Sequence, residues 1–141
     1  MLIWVENESR KIGRLIIPDH FYEQMINSPL LEIHKSDEER IEHIAEEYGR
    51  LPEAELISAV KRLQKRLGGL RTQQAISDIQ EKNHSSWISN LLLYYDKTYE
   101  FDLQRHETSK TIHLDIVGFP SSKQVEVLLN TKNKFYGIPT N

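Results

Sequence analysis

Residues 1–18 read MLIWVENESRKIGRLIIP. Leu2–Glu6 is apolar, β-branched and aromatic, the composition of a strand. The polar run after it carries Glu6, Glu8, Ser9 and Arg10, and Gly13 follows. Ligands of open α/β sheets sit beyond strand ends. Carboxylates gathered there can hold a magnesium ion, and an Arg can pair with phosphate oxygens. A polar loop after a strand has the same composition, so the stretch alone leaves both readings open. The chain opens on this strand, which sets the expectation of a piece of a larger protein.

Outward from that stretch, Leu15–Ile17 reads as a second short extended piece. Pro18 starts a helix in which Phe21, Tyr22, Met25 and Ile26 share a face, and Asn27-Ser28-Pro29 stops it. Leu30–His34 reads as a buried strand. Ser36 and Glu39 make a capping box, with Ile41, Ile44, Ala45 and Tyr48 repeating behind it at helical spacing. Pro52 opens a helix with the stripe Leu56, Val60, Leu63 and Leu67, and Gly68-Gly69 ends it. Thr72 is the expected cap of the next helix, to about Lys82. Ser85 or Ser86 caps another, carrying Ile88, Leu91, Leu92 and Tyr95, which breaks between Asp96 and Asp102. Thr111–Val117 alternates with period two, a strand. After Gly118–Pro120, a last helix from Ser121 or Ser122 carries Val125, Leu128 and Leu129.

The resulting fold class is α/β and helix-rich, with a partial sheet and an appended helical lobe over about 52–102. Residues 1–130 form one unit and 131–141 a loose polar tail. At 141 residues the chain can bury a core. A net charge of −3 gives no general signature of nucleic-acid binding, although a local basic patch still could. The absence of Cys excludes disulfides, thiolate metal sites and a Cys nucleophile in this chain. No apolar run reaches a membrane span and no signal peptide is evident, so the cytoplasm is the expected compartment.

Two further segments carry candidate chemistry. Lys61, Arg62, Lys65 and Arg66 lie opposite the apolar stripe, followed by Gly68, Gly69, Arg71 and Thr72. Such a cationic segment can close over a polyphosphate or touch an RNA backbone; a solvated helix face looks the same. Tyr94-Tyr95-Asp96-Lys97-Thr98-Tyr99 offers rings that stack on bases. Tyr95 falls on the apolar stripe and is assigned to the core, leaving Tyr94 and Tyr99 open to either role. The six His are scattered. Glu39, His43 and Glu46 share a helix face, but no H-E-x-x-H spacing supports a metal site. The G-x-x-x-x-G-K-[ST] phosphate loop is absent from the chain.

Taken in order, the segments resemble the C-terminal part of bacterial tRNA 2-selenouridine synthases. The resemblance is carried by Trp4–Gly13 with Ile17-Pro18, Ser28-Pro29, Glu39-Arg40-Ile41, Glu47-Tyr48, Arg66–Thr72 and Tyr94–Tyr99. It covers roughly Leu2 to Ile116. It implies the second half of a P-loop NTPase-like domain with a parallel sheet, plus its helical lobe.

The resemblance further implies a rhodanese-like domain with a catalytic Cys and a Walker A loop elsewhere, in cis or on a separate chain. Activity would convert wobble 2-thiouridine of tRNA to 2-selenouridine through a geranylated intermediate. Selenophosphate and geranyl diphosphate would be substrates, with magnesium as a candidate ion. This chain alone would carry no cofactor and no catalysis. Glu6, Glu8, Ser9 and Arg10 would face phosphate or metal. Arg62, Arg66, Gly68, Gly69, Arg71, Thr72, Tyr94 and Tyr99 would face phosphate or tRNA. An exposed sheet edge would invite a homodimer. The alternatives are a nucleotide kinase or NTPase fragment with Gly68-Gly69 as a lid, and a non-enzymatic RNA- or partner-binding module.

Overall fold

The computed structural model describes residues 3–106 and 110–136, with side chains described to residue 133. Two short strands, β1 (Lys11–Ile12) and β2 (Leu15–Ile16), pair antiparallel around Gly13, whose φ of 60° suits the tight turn. Helix α1 (Asp19–Asn27) follows Pro18, and β3 (Leu30–His34) comes next. Helices α2 (Asp37–Tyr48), α3 (Glu53–Arg62), α4 (Gln64–Leu67), α5 (Gly69–Gln80) and α6 (His84–Leu103) intervene before β4 (Thr111–Asp115) and α7 (Ser121–Tyr136). Strands β3 and β4 pair in parallel, Leu30 opposite Thr111 through His34 opposite Asp115. Parallel pairing requires a crossover, and here the whole helical lobe is that crossover.

The lobe closes its own core. Leu56, Val60, Leu67, Ala75, Ile79, Trp87 and Ile88 form one buried cluster. Ile41, Ile44 and Ala45 of α2 pack against it, so the lobe begins earlier than residue 52. Arg40 fixes α2 to α6 by a two-pronged bond to Asp96, at 3.1 and 2.5 Å. The capping box of α2 forms in both directions: Ser36 N–H donates to Glu39 Oε2 at 3.1 Å, and Glu39 N–H to Ser36 Oγ at 3.2 Å.

Several sequence expectations are corrected. The Leu2–Glu6 strand does not form over its described residues, because no neighbouring strand receives its backbone bonds. Strand β3 is half-exposed rather than buried, with Ile33 46% open. The helix from Pro52 breaks at Leu63, where the N–H donates to Val60 C=O at 3.0 Å in a tighter turn. Gly68, not Thr72, precedes α5, and its φ of 85° with ψ of 156° is open essentially only to glycine. Asn83, not Ser85 or Ser86, caps α6, its Oδ1 accepting from Ser86 N–H at 3.4 Å. Helix α6 runs on through Asp96–Asp102, since Asp96 is held by Arg40 and no Pro or Gly interrupts it. The last strand ends at Asp115. Helix α7 extends through Thr131 to Tyr136, where a loose tail was expected, and 137–141 lie outside the described residues.

Candidate functional site

The polar stretch after residue 5 is divided between two neighbourhoods. Arg10 turns to α1 and pairs with Asp19. Ser9 Oγ donates to the carbonyl of Lys11 at 3.0 Å. Asn7 turns the other way: its Oδ1 lies 3.0 Å from Nε2 of His106, just past the end of α6. His106 is buried, and its Nδ1 has no hydrogen-bond partner among the described residues. Glu8 and Glu6 reach the same end of α6. Burial raises the Tyr99 phenol above its ordinary value, and the Glu8 carboxylate adds to that, followed by Tyr95, Glu6 and Asp102. Nothing in the sequence pairs Asn7 with His106: Asn7 lies in the polar N-terminal stretch, His106 in no motif, and 99 positions separate them.

The cationic segment sits on the lobe. Arg66 Nη1 donates to Tyr94 Oη at 3.3 Å. Arg62 Nη1 donates to Ser58 Oγ at 3.0 Å. Arg62, Arg66, Gly68, Gly69 and Arg71 are exposed, and the Arg71 carbonyl accepts from Asn90 Nδ2 at 3.1 Å. Thr72 differs: it is buried, and its hydroxyl donates to Gly68 C=O at 2.8 Å, so it shapes the turn rather than opening to solvent. Tyr95, assigned to the core in sequence, is found open, and Tyr94, open to either role in sequence, goes to the core. Tyr94 packs on the lobe core, whereas Tyr95 is 40% exposed, because the stripe of α6 rotates by its fourth turn. Tyr99 is also exposed.

A cavity of about 660 Å³ opens between the N-terminal segment, α1, β3 and α7. Its walls are mainly apolar, including Trp4, Phe21, Met25, Leu31, Ile33 and Leu128. Glu39 closes the loop after β4: its Oε1 accepts from Gly118 N–H at 2.7 Å. That bond, with the Ser36 N–H, holds the Glu39 carboxyl below its ordinary value. His43 pairs with Glu47 at 3.7 Å rather than joining Glu39. Among the described residues, no group of three His, Cys, Asp or Glu side chains is placed to hold a metal ion. No described helix is long and apolar enough to cross a membrane.

The family model of the tRNA 2-selenouridine synthase AAA domain matches residues 1–118. The chain belongs to that family. Its P-loop-like α/β class accords with the parallel β3–β4 pair and the helix-rich crossover. Among curated relatives, the tRNA 2-selenouridine synthase of Marinobacter nauticus is 36% identical, with 74% of this chain and 36% of that protein covered. That of Alcanivorax borkumensis is 33% identical, covering 73% and 36%. That of Chromohalobacter salexigens is 32% identical, covering 72% and 36%. The chain thus spans about a third of the length of the curated relatives it matches. No solved structure matches.

Proposed function

We propose that this chain is the second half of the AAA domain of a tRNA 2-selenouridine synthase and supplies one wall of its phosphate pocket and a tRNA-binding lobe. The intact enzyme would convert wobble 2-thiouridine to 2-selenouridine in the cytoplasm. The sulfur would first be geranylated from geranyl diphosphate, and the geranylthio group then replaced by selenium from selenophosphate. The Cys-bearing rhodanese domain and the Walker A loop would come from elsewhere, in cis or on another chain. Catalysis therefore needs that portion as well.

The observation that carries the reading is the meeting of the N-terminal polar stretch with the end of the lobe, through Asn7 and His106 at 3.0 Å. It sets Glu6 and Glu8 beside Tyr99, on the helix that also holds Tyr94 against Arg66. Phosphate groups would recruit Arg10 only by drawing it from Asp19. Magnesium takes one or two carboxylates together with phosphate oxygens and water, so Glu6 and Glu8 would complete a site only with a phosphate ligand bound. Arg62, Arg66 and Arg71 would contact the tRNA backbone.

The test is tRNA binding by the chain across a salt series. Binding should weaken steeply with salt, and Arg62→Ala, Arg66→Ala and Arg71→Ala should each reduce the log–log slope by about one. Mixing the chain with the upstream portion of a full-length relative should then yield 2-selenouridine, read by mass spectrometry of digested tRNA. A chain that binds ATP but neither tRNA nor geranyl diphosphate would point instead to a kinase or NTPase.

A further inference from the structure

Three exposed tyrosines of the lobe lie near one another. Tyr95 and Tyr99 are one helical turn apart on α6 and are 40% and 52% exposed. Tyr48, at the end of α2, is 48% exposed. Tyr94 anchors the group: it packs on the lobe core, its Oη is held by Arg66, and its ring meets Tyr95 edge-on at 5.2 Å and 62°. Burial raises the Tyr95 phenol, with Tyr94 and Tyr48 adding to the rise and Arg66 opposing it, so all four groups share one neighbourhood. A ring braced by a neighbour, open on one face and next to a cation is what a flat π-system stacks on.

We propose that Tyr95 and Tyr99, with Tyr48 beside them, form a stacking platform for unpaired nucleobases of an RNA strand whose phosphates run toward Arg66. This rests on the RNA-binding reading above and extends it to unpaired rather than duplex RNA. The charge pattern favours that occupant and fixes its orientation. Arg66, with Arg62 and Arg71 on the same lobe, attracts a phosphate backbone on one side. The carboxylates of Glu8, Glu6 and Asp102 act on Tyr99 electrostatically, so a backbone is drawn toward the arginines rather than toward that ring. Bases therefore lie over the rings while the backbone stays on the cationic side. Duplex RNA buries its base faces and cannot use such a platform.

The experiment compares three labelled RNAs by anisotropy with the full chain at low salt. They are a mixed-sequence single strand of about ten nucleotides, the same ribose-phosphate strand without bases, and a duplex. The base-bearing strand should bind about tenfold more tightly than the abasic strand for each base stacked. Tyr95→Ala with Tyr99→Ala should bring it down to the abasic level, whereas Tyr95→Phe with Tyr99→Phe should keep most of the advantage. Arg66→Ala should weaken both single strands alike. If bases confer no advantage, or the Ala pair binds like the parent, the platform is wrong while salt-dependent binding still upholds the RNA reading. If no RNA binds, both fail. If the Ala pair loses only its association with the upstream portion of the domain, the face is a protein contact and the platform is overturned.

Discussion

The helical lobe and the sheet region differ in how far each satisfies itself. Seven buried apolar side chains close the lobe, from Leu56 on α3 to Ile88 on α6. Around β3 and β4, Ile116 alone among the described residues is a buried apolar side chain. Ile3, Phe21 and Ile33, which line the cavity beside β3, are all open, as are Leu15 and Ile16 of the β1–β2 pair and Val125 of α7. The two tryptophans make the contrast directly: Trp87 in the lobe is 4% exposed and Trp4 is 50% exposed. A free surface this rich in apolar side chains marks an interaction face. The lobe closes a core of its own, whereas the sheet region leaves its apolar side chains open; under the proposed function the rest of the AAA domain would cover them.

Core truncations should break the comparison most strongly if it is wrong. Ile88→Ala should cost about 2–5 kcal/mol in denaturant unfolding, as for buried aliphatic side chains generally. Ile33→Ala, on the open face of β3, should fall within about 0.5 kcal/mol. Similar losses at both positions would mean the sheet is as well packed as the lobe. A smaller effect comes from the attachment of α2. The Arg40–Asp96 pair is about a third exposed, so Arg40→Ala should cost only about 1 kcal/mol. That loss should shrink in an Asp96→Ala background to the part owed to the Arg40–Asp37 pair.

The weakest expected effect lies at the seam between the two regions. Glu39 ties α2 to the loop after β4 through Gly118, and its folded pKa lies below the ordinary value of 4.5. The bond therefore contributes stability above that value and loses it as pH falls through the folded pKa. Unfolding followed from pH 7 down to about pH 3 should show this loss in the parent and not in Glu39→Gln. Parallel curves for the two proteins would remove Glu39 from the seam.

The lobe was the more legible half in sequence because its signals are local. The Ser36–Glu39 box, the Leu56–Val60–Leu67 stripe and the Gly68 stop each sit within about three turns. Its misread details were local competitions: Asn83 took the cap from Ser85 and Ser86, and Arg40 held Asp96 inside a helix expected to break there. The sheet was less legible because strands need partners distant in sequence. Thr111–Asp115 found one in Leu30–His34, whereas Leu2–Glu6, with an equally strand-like composition, found none over its described residues. The candidate site followed the same division. Arg66 and Tyr94 were flagged by neighbouring residues, but the Asn7–His106 contact joins positions far apart in the chain and left no mark on either segment.

Hydrogen exchange tests the division most directly. Amides of α3, α5 and α6 in the chain alone should be protected to the level of global unfolding, while those of residues 3–9 and of β3 and β4 exchange by local opening. Addition of the upstream portion of the AAA domain from a full-length relative should slow exchange in the second set and leave the first unchanged. Equal protection of both sets in the isolated chain, with no change on addition, would contradict the account.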